Sequence, residues 1–272
     1  MTDFAAPPPA LNEVEKEGST VEPVVKITTR STYKSEDALS PSSVLPSPIE
    51  QFKLWFKTAQ EDSRVFEPET MTLGTTLLTL TDPSNPTSTP IAIPSSRVVL
   101  LKSVDARGFV LFTNYTSRKS RELLANPYAS LAFYWREMHR QVRVVGKAEM
   151  VDRRESDDYY NSRPLGSRIG AWASRQSTVV GEGEVTNRYE KLEERFGAVS
   201  VGEKGERISK APGEVQVPPP EFWGGWRIVP FEVEFWAGKP SRLHDRVRYR
   251  KTQSSDTDES AESVWTIERL AP

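Results

Sequence analysis

The hydrophobic positions of the chain fall into two rhythms. Between Ser47 and Ala59 the apolar residues Phe52, Trp55, Phe56 and Ala59 recur at i, i+3, i+4 and i+7, which puts them on one face of a helix. Ser47 is placed to cap that helix, Pro48 takes its first position, and Glu50 completes a capping box. A buried core helix accounts for the stripe. From Met71 the rhythm changes to short β-rich runs at 71–80, 97–104, 109–114, 129–135, 141–150, 226–236, 243–250 and 264–269, separated by Gly, Pro, Asn and Asp. Helical stretches are interleaved at about 117–126, 152–162 and 186–196, the first opening at Thr116 or Ser117 and closing before Pro127. The pattern predicts an antiparallel barrel with peripheral helices, in the α+β class.

Residues 1–25, with Pro7, Pro8, Pro9 and scattered acids, have no apolar period and predict a disordered tail. Order is expected in earnest from Ser47, which leaves 26–46 as a segment between that tail and the main domain at 47–272. The Pro-rich segment 81–96 and the segments 197–220 and 251–263 are expected to be solvated loops. The 272 residues include 36 Lys and Arg against 38 Asp and Glu, and no Cys. The length allows an extended core, and thiol chemistry and disulfides are excluded. No apolar run approaches a bilayer span, the N-terminus has neither a secretory h-region nor an Arg-rich transit composition, and the expectation is a soluble, cytoplasmic protein. No metal site is expected, nor bulk attraction to nucleic acid or membrane.

Charge alters the picture locally. Between Arg97 and Lys147 there are ten basic and three acidic residues in a chain that is near-neutral overall. Strand alternation places Arg97, Val99 and Leu101 on one side and Val98, Leu100 and Lys102 on the other, so the two cations are expected to face opposite ways. Ser117-Arg118-Lys119 opens a helix, where cations are unfavourable unless an anion is present, and this points to phosphate. Arg163, after Tyr159-Tyr160-Asn161-Ser162, reads first as a helix C-cap beside Pro164. Trp172 reads as core, and Gln176 and Ser177 offer neutral hydrogen bonds. The dense aromatics of 222–236 read mainly as barrel core. His139 and His244 are the only histidines. His244 stands two residues from both Arg242 and Arg246, so an extended segment would put all three on one face, as an anion or redox-ligand site or as a mixed surface strand.

Taken together, RVVLLK at 97–102, FTN at 112–114, SRK at 117–119, RQVRVVGKAE at 140–149, YYNSRP at 159–164, IGAWASRQS at 169–177, FWGGWR at 222–227, EFWAG at 234–238, RLHDR at 242–246 and WTIERLAP at 265–272 resemble the pyridoxine (pyridoxamine) 5′-phosphate oxidase family. The resemblance implies an FMN-binding split β-barrel that forms a homodimer, with FMN at the subunit interface. It assigns FMN to Arg97, Val98, Val99, Leu100, Leu101, Lys102, Phe112, Thr113, Arg118, Lys119, Gln141, Gln176, Ser177, Trp236 and Arg246. It assigns the substrate to Lys102, Tyr159, Arg163, Ser167, Arg242, Leu243 and His244, with Arg242 and His244 over the reacting carbon, and to Arg30 and Tyr33 on the covering arm. The implied reaction oxidises pyridoxamine or pyridoxine 5′-phosphate to pyridoxal 5′-phosphate with O2 as acceptor. The alternatives are a flavin-binding split-barrel reductase, a carrier of pyridoxal 5′-phosphate without catalysis, and a nucleic-acid-binding barrel.

Overall fold

The computed structural model describes residues 32–36, 38–82, 84–85, 87–201, 207–210, 213, 215–252 and 264–272. The expected tail, Arg30 of the arm and most of 251–263 lie outside the described residues. Helix α1 (Pro48–Glu61) starts at the expected cap, with Ser47 Oγ accepting the Glu50 N–H; the Glu50 carboxylate takes Lys53 Nζ at 2.9 Å and does not close the expected capping box. Its apolar stripe faces inward. Phe52 meets Phe109 edge-on at 4.8 Å and lies 4.9 Å from Phe133, while Trp55 meets Phe235 edge-on at 5.2 Å. These rings, with Leu73, Leu131, Val142 and Val144, form the main core.

The strands are β1 (Thr70–Leu80), β2 (Pro90–Leu100), β3 (Ser103–Val104), β4 (Phe109–Asn114), β5 (Tyr128–Trp135), β6 (Arg140–Met150), β7 (Val199–Val201), β8 (Arg207–Ser209), β9 (Trp223–Ala237), β10 (Asp245–Lys251) and β11 (Trp265–Arg269). The main sheet runs β11-β10-β9-β6-β5-β1-β2 and is antiparallel throughout. The long β9 pairs with β6 along one edge; on the other it pairs with β4 through Trp223–Ile228 and with β10 through Glu232–Ala237. A bulge between Val145 and Gly146 lets β9 bend between these partners. Beyond β2 the chain continues through Leu101 and Lys102 into β3, which pairs with β4, and Lys102 N–H donates to Val110 O at 2.8 Å. Among the described residues no ladder joins β2 to β4, so the curled sheet stays split. The α+β expectation holds.

Helices α2 (Arg118–Ala125), α3 (Arg153–Ser162), α4 (Leu165–Ala173) and α5 (Glu184–Arg195) lie outside the sheet order. Ser117 caps α2 and Asp152 caps α3. None of the described helices is long and apolar enough to cross a membrane.

Four expectations are corrected. The stretch 81–96 is not all loop, because β2 begins at Pro90 and pairs with β1 from Leu80 back to Thr70. Its prolines are tolerated because β2 is the outermost strand and needs no second partner. The stretch 197–220 is not all solvated: β7 and β8 form a hairpin, and Val215 and Val217 are buried with Tyr160, Ile169, Ala198 and Trp223 in a second core. Helix α4 was not expected, its Gly166 and Gly170 being poor helix formers; burial of Ile169 and Ala173 overrides that preference. Finally, β10 begins at Asp245, and Pro240–Arg242 forms a turn closed by the Leu243 N–H on Pro240 O at 3.1 Å, with Ser241 and Arg242 at positive φ. Arg242, His244 and Arg246 therefore do not share an extended strand.

Candidate active site

A cavity of about 820 Å³ opens between the end of β2, β4, the start of α2, the α3–α4 junction and Trp223. Its lining contains the cations Arg97, Lys102, Lys119 and Arg163 and no carboxylate. Such a volume accommodates a cofactor-sized ligand, and the charge selects an anionic one. Arg97 and Lys102 both reach this cavity. The expected opposition fails because β2 ends at Leu100, so strand alternation does not extend to Lys102.

At the α2 end the polar groups form a tight network. Glu122, 2% exposed, accepts from Arg97 Nη2 at 2.9 Å, from Arg118 Nε at 2.8 Å and from Thr75 Oγ1 at 2.5 Å. Arg97 is largely consumed by the protein: Nη1 donates to Thr75 Oγ1, and Nη2 also donates to Ser95 Oγ at 2.9 Å. Part of the local basic excess is thus neutralised internally. Lys119 is buried and donates from Nζ to Gln176 Oε1 at 2.7 Å and to Thr113 Oγ1 at 3.2 Å. Burial and, next, the Arg97 charge pull its ammonium down to about 8, against the opposing pull of Glu122. Below that pH Lys119 is cationic and above it neutral. An anion bound there raises the pKa, so binding takes up a proton between the free and bound values. Titration with FMN, the ligand the resemblance implies, is expected to show affinity falling as pH rises above about 8, by up to roughly tenfold per pH unit. Lys119→Gln should abolish that slope. A wild-type profile flat from about pH 7 to 10 would contradict it.

At the α3 end the lining is aromatic. Phe112 stacks on Tyr159 at 4.1 Å and on Trp223 at 5.5 Å, with interplanar angles of 20° and 13°. The approach of β4 to β9 needs Gly225, where a Cβ would sit 2.9 Å from Phe112 Cε1. Arg163 does cap α3 through its backbone, its N–H meeting Tyr160 O at 3.1 Å, but its side chain enters the cavity lining. Ser167, in the first turn of α4, lines the same wall.

A second cluster forms where β9 leaves the sheet. Gln141, Trp236 and Arg246 stand opposite one another in the register of β6, β9 and β10. Arg246 Nε donates to the buried Glu234 at 2.7 Å, and Glu234 also accepts from Arg143 at 3.0 Å. His244 lies 4.7 Å from the Trp236 ring, and Tyr33 of the arm meets both edge-on at 5.2–5.4 Å. The arm is fixed there, since Ser35 N–H donates to Gly238 O at 2.9 Å and Lys239 Nζ to Ser35 O at 2.8 Å. His244 Nδ1 accepts the Lys239 N–H at 3.1 Å. Burial, then the charge of Arg242, holds its pKa below the usual histidine value. The ring is therefore neutral at pH 7, with its proton on Nε2.

Of the residues singled out in the sequence, Arg97, Val98, Val99, Leu100, Lys102, Phe112, Thr113, Lys119, Tyr159, Arg163, Ser167 and Gln176 line the one cavity. Leu101 does not, being buried in the main core. Arg118 and Ser177 flank the lining without forming it. Gln141, Trp236, Arg242, Leu243, His244, Arg246 and Tyr33 are absent from the lining. Sequence reading missed Glu122, Asn114 and Trp223. Glu122 had only an i+4 spacing from Arg118 as a signal, and Trp223 passed as ordinary core.

A family model described as pyridoxamine 5′-phosphate oxidase matches residues 62–204, and one described as the pyridoxine 5′-phosphate oxidase C-terminal dimerisation region matches residues 223–272. The curated protein named pyridoxine/pyridoxamine 5′-phosphate oxidase from Burkholderia mallei (strain SAVP1) is 46% identical over 241 residues, covering 89% of this chain and 96% of its own. Its namesake from Paraburkholderia xenovorans (strain LB400) is 47% identical over 226 residues, covering 83% and 89%. Among solved structures, PhzG from Burkholderia lata 383, in complex with tetrahydrophenazine-1-carboxylic acid, superposes with a TM-score of 0.68 at 29% identity, covering 88% of this chain and 100% of its own. A pyridoxamine 5′-phosphate oxidase-related, FMN-binding protein from Nostoc punctiforme PCC 73102 shares the fold, with a TM-score of 0.55 at 13% identity and coverage of 83% and 98%.

Proposed function

Because the chain belongs to the pyridoxine/pyridoxamine 5′-phosphate oxidase family, we propose that it is an FMN-dependent oxidase converting pyridoxamine 5′-phosphate and pyridoxine 5′-phosphate to pyridoxal 5′-phosphate, with O2 reduced to H2O2. The observation that carries this reading is the cavity whose lining has Arg97 and Lys119 toward its α2 end and Arg163 with the stacked aromatic rings toward its α3 end. A flavin phosphate and a substrate phosphate need one cationic end each.

The cofactor is FMN, and the residues fit it. Lys119 and Arg118 offer cationic donors for its phosphate, Arg97 braces that end, and Thr113 and Gln176 supply neutral hydrogen bonds. When bound, FMN supplies a two-electron acceptor for the hydride leaving C4′ of the substrate. Arg163, Lys102, Tyr159 and Ser167 hold the substrate's phosphate and ring at the other end. Arg163 carries the charge and the stacked Phe112 and Tyr159 give a flat wall.

Arg242 and His244 complete the site from a second copy of the chain. Both lie in the segment matching the dimerisation region, as do Trp236 and Arg246, and none of the four lines the cavity of their own chain. The exposed Val98 (67%) and Leu100 beside that cavity offer apolar surface for the partner to cover. His244, neutral and with Nδ1 occupied, orients the reacting C4′ group by donating from Nε2 and does not act as a base through Nδ1. Arg242 supplies a fixed positive charge beside it.

Peroxide production with pyridoxamine 5′-phosphate, pyridoxine 5′-phosphate and a reduced phenazine carboxylate as substrates tests this reading. The B6 phosphates are expected to be turned over at the higher kcat/KM. Preference for the phenazine would align the chain with PhzG, and binding of pyridoxal 5′-phosphate without peroxide would make it a carrier.

A further inference from the structure

The two arginines of the cavity are held in opposite ways. Arg97 spends its donors on Thr75, Ser95 and Glu122. Arg163 has no carboxylate beside it among the described residues. Its guanidinium carbon lies 4.9 Å over the ring of Trp223 and 5.9 Å over that of Tyr160, and its Nη1 is buried without a hydrogen-bond partner. An aromatic face stabilises a guanidinium from above and leaves the in-plane N–H groups unused. A carboxylate would occupy those same N–H groups and cancel the charge. The Trp223 ring is itself packed in place: it is 5% exposed, stacked on Phe112, and its backbone pairs with Asn114 at the start of β9.

We propose that Trp223 is a positioning residue: it holds Arg163 charged, unspent and oriented for a phosphate, and so sets the preference for phosphorylated over unphosphorylated substrate. This rests on the reading of Arg163 as the substrate-phosphate residue. Burial disfavours the Arg163 charge, and the aromatic faces against it, Trp223 at 4.9 Å and the more distant Tyr160 at 5.9 Å, offset this cost while leaving its donors free.

The test compares wild type, Trp223→Phe and Trp223→Leu, each loaded with FMN. The readouts are KM and kcat for pyridoxamine 5′-phosphate and for pyridoxamine, and equilibrium dialysis of pyridoxal 5′-phosphate. The leucine variant is expected to raise KM for the phosphorylated amine and Kd for pyridoxal 5′-phosphate about tenfold, and the phenylalanine variant about threefold, given the weaker π face of Phe. The kcat for the phosphorylated amine, and kcat/KM for pyridoxamine, should stay within about twofold in both. Equal losses on the two amines, or no loss in either variant, would overturn the inference. Should the leucine variant fail to fold, the phenylalanine variant decides alone by the same criterion. A wild type indifferent to the phosphate would overturn the reading of Arg163 together with the inference, whereas a wild-type preference surviving in the variants overturns only the inference.

Discussion

Arg242→Leu is expected to lower kcat/KM for pyridoxamine 5′-phosphate on the order of 10²-fold, the scale of removing a positioning group at a reacting carbon. FMN content should stay within about twofold of wild type, because the donors proposed for the flavin phosphate are Lys119 in the cavity lining and Arg118 beside it, and Arg242 does not line that cavity. Flavin content and initial rates on the same preparation check both parts. His244→Asn should cost less, since asparagine keeps a donor of similar reach. If Arg242 were only a surface residue, its replacement would leave kinetics unchanged and shift stability by under about 0.5 kcal/mol. The effect should also act across the dimer. Co-expressed Arg163→Ala and Arg242→Leu chains place both lesions in one of the two sites of a mixed dimer, so about half of the wild-type activity is expected to return there. No recovery in purified mixed dimers would contradict the shared site.

Arg163→Ala is expected to raise KM for phosphorylated substrates more than tenfold, about 2–3 kcal/mol for removing a charge-assisted hydrogen bond to phosphate in a partly desolvated site. Steady-state kinetics with pyridoxamine 5′-phosphate measure it, and the value for unphosphorylated pyridoxamine should barely move. The fold should tolerate the change, because the hydrogen bond that closes α3 is made by the Arg163 backbone and survives it. An unchanged KM would leave Arg163 as a helix cap.

The local signals were legible where they act locally. Ser47 and Ser117 cap the helices expected of them, and the β-rich runs became β1, β4, β5, β6 and β9. What escaped depended on tertiary position. Pro90 and Pro94 argue against a strand unless it is known to be an edge, and Gly166 and Gly170 argue against a helix unless Ile169 and Ala173 are known to be buried. The spacing of Arg242, His244 and Arg246 suggested one strand face, yet the left-handed Ser241 and Arg242 break it. That His244 nevertheless lies against Trp236 and Tyr33 follows from the turn after β9, which no alternation rule describes. The resemblance named the cavity-lining residues more completely than spacing could, because Lys102, Lys119 and Arg163 come from three elements separated along the chain. Glu122 and Trp223 act through Arg97 and Arg163, so their part is visible only once those side chains are placed.

If the cavity holds FMN where a B6 phosphate can reduce it, mixing the two without oxygen must reduce the flavin. Purified protein carrying FMN is mixed anaerobically with pyridoxamine 5′-phosphate while the flavin absorbance is followed. The expected result is bleaching of the oxidised flavin band with one pyridoxal 5′-phosphate formed per flavin, and return of the band on admitting air. A flavin that stays oxidised at saturating pyridoxamine 5′-phosphate and pyridoxine 5′-phosphate, yet is bleached by dithionite, would contradict the proposed function.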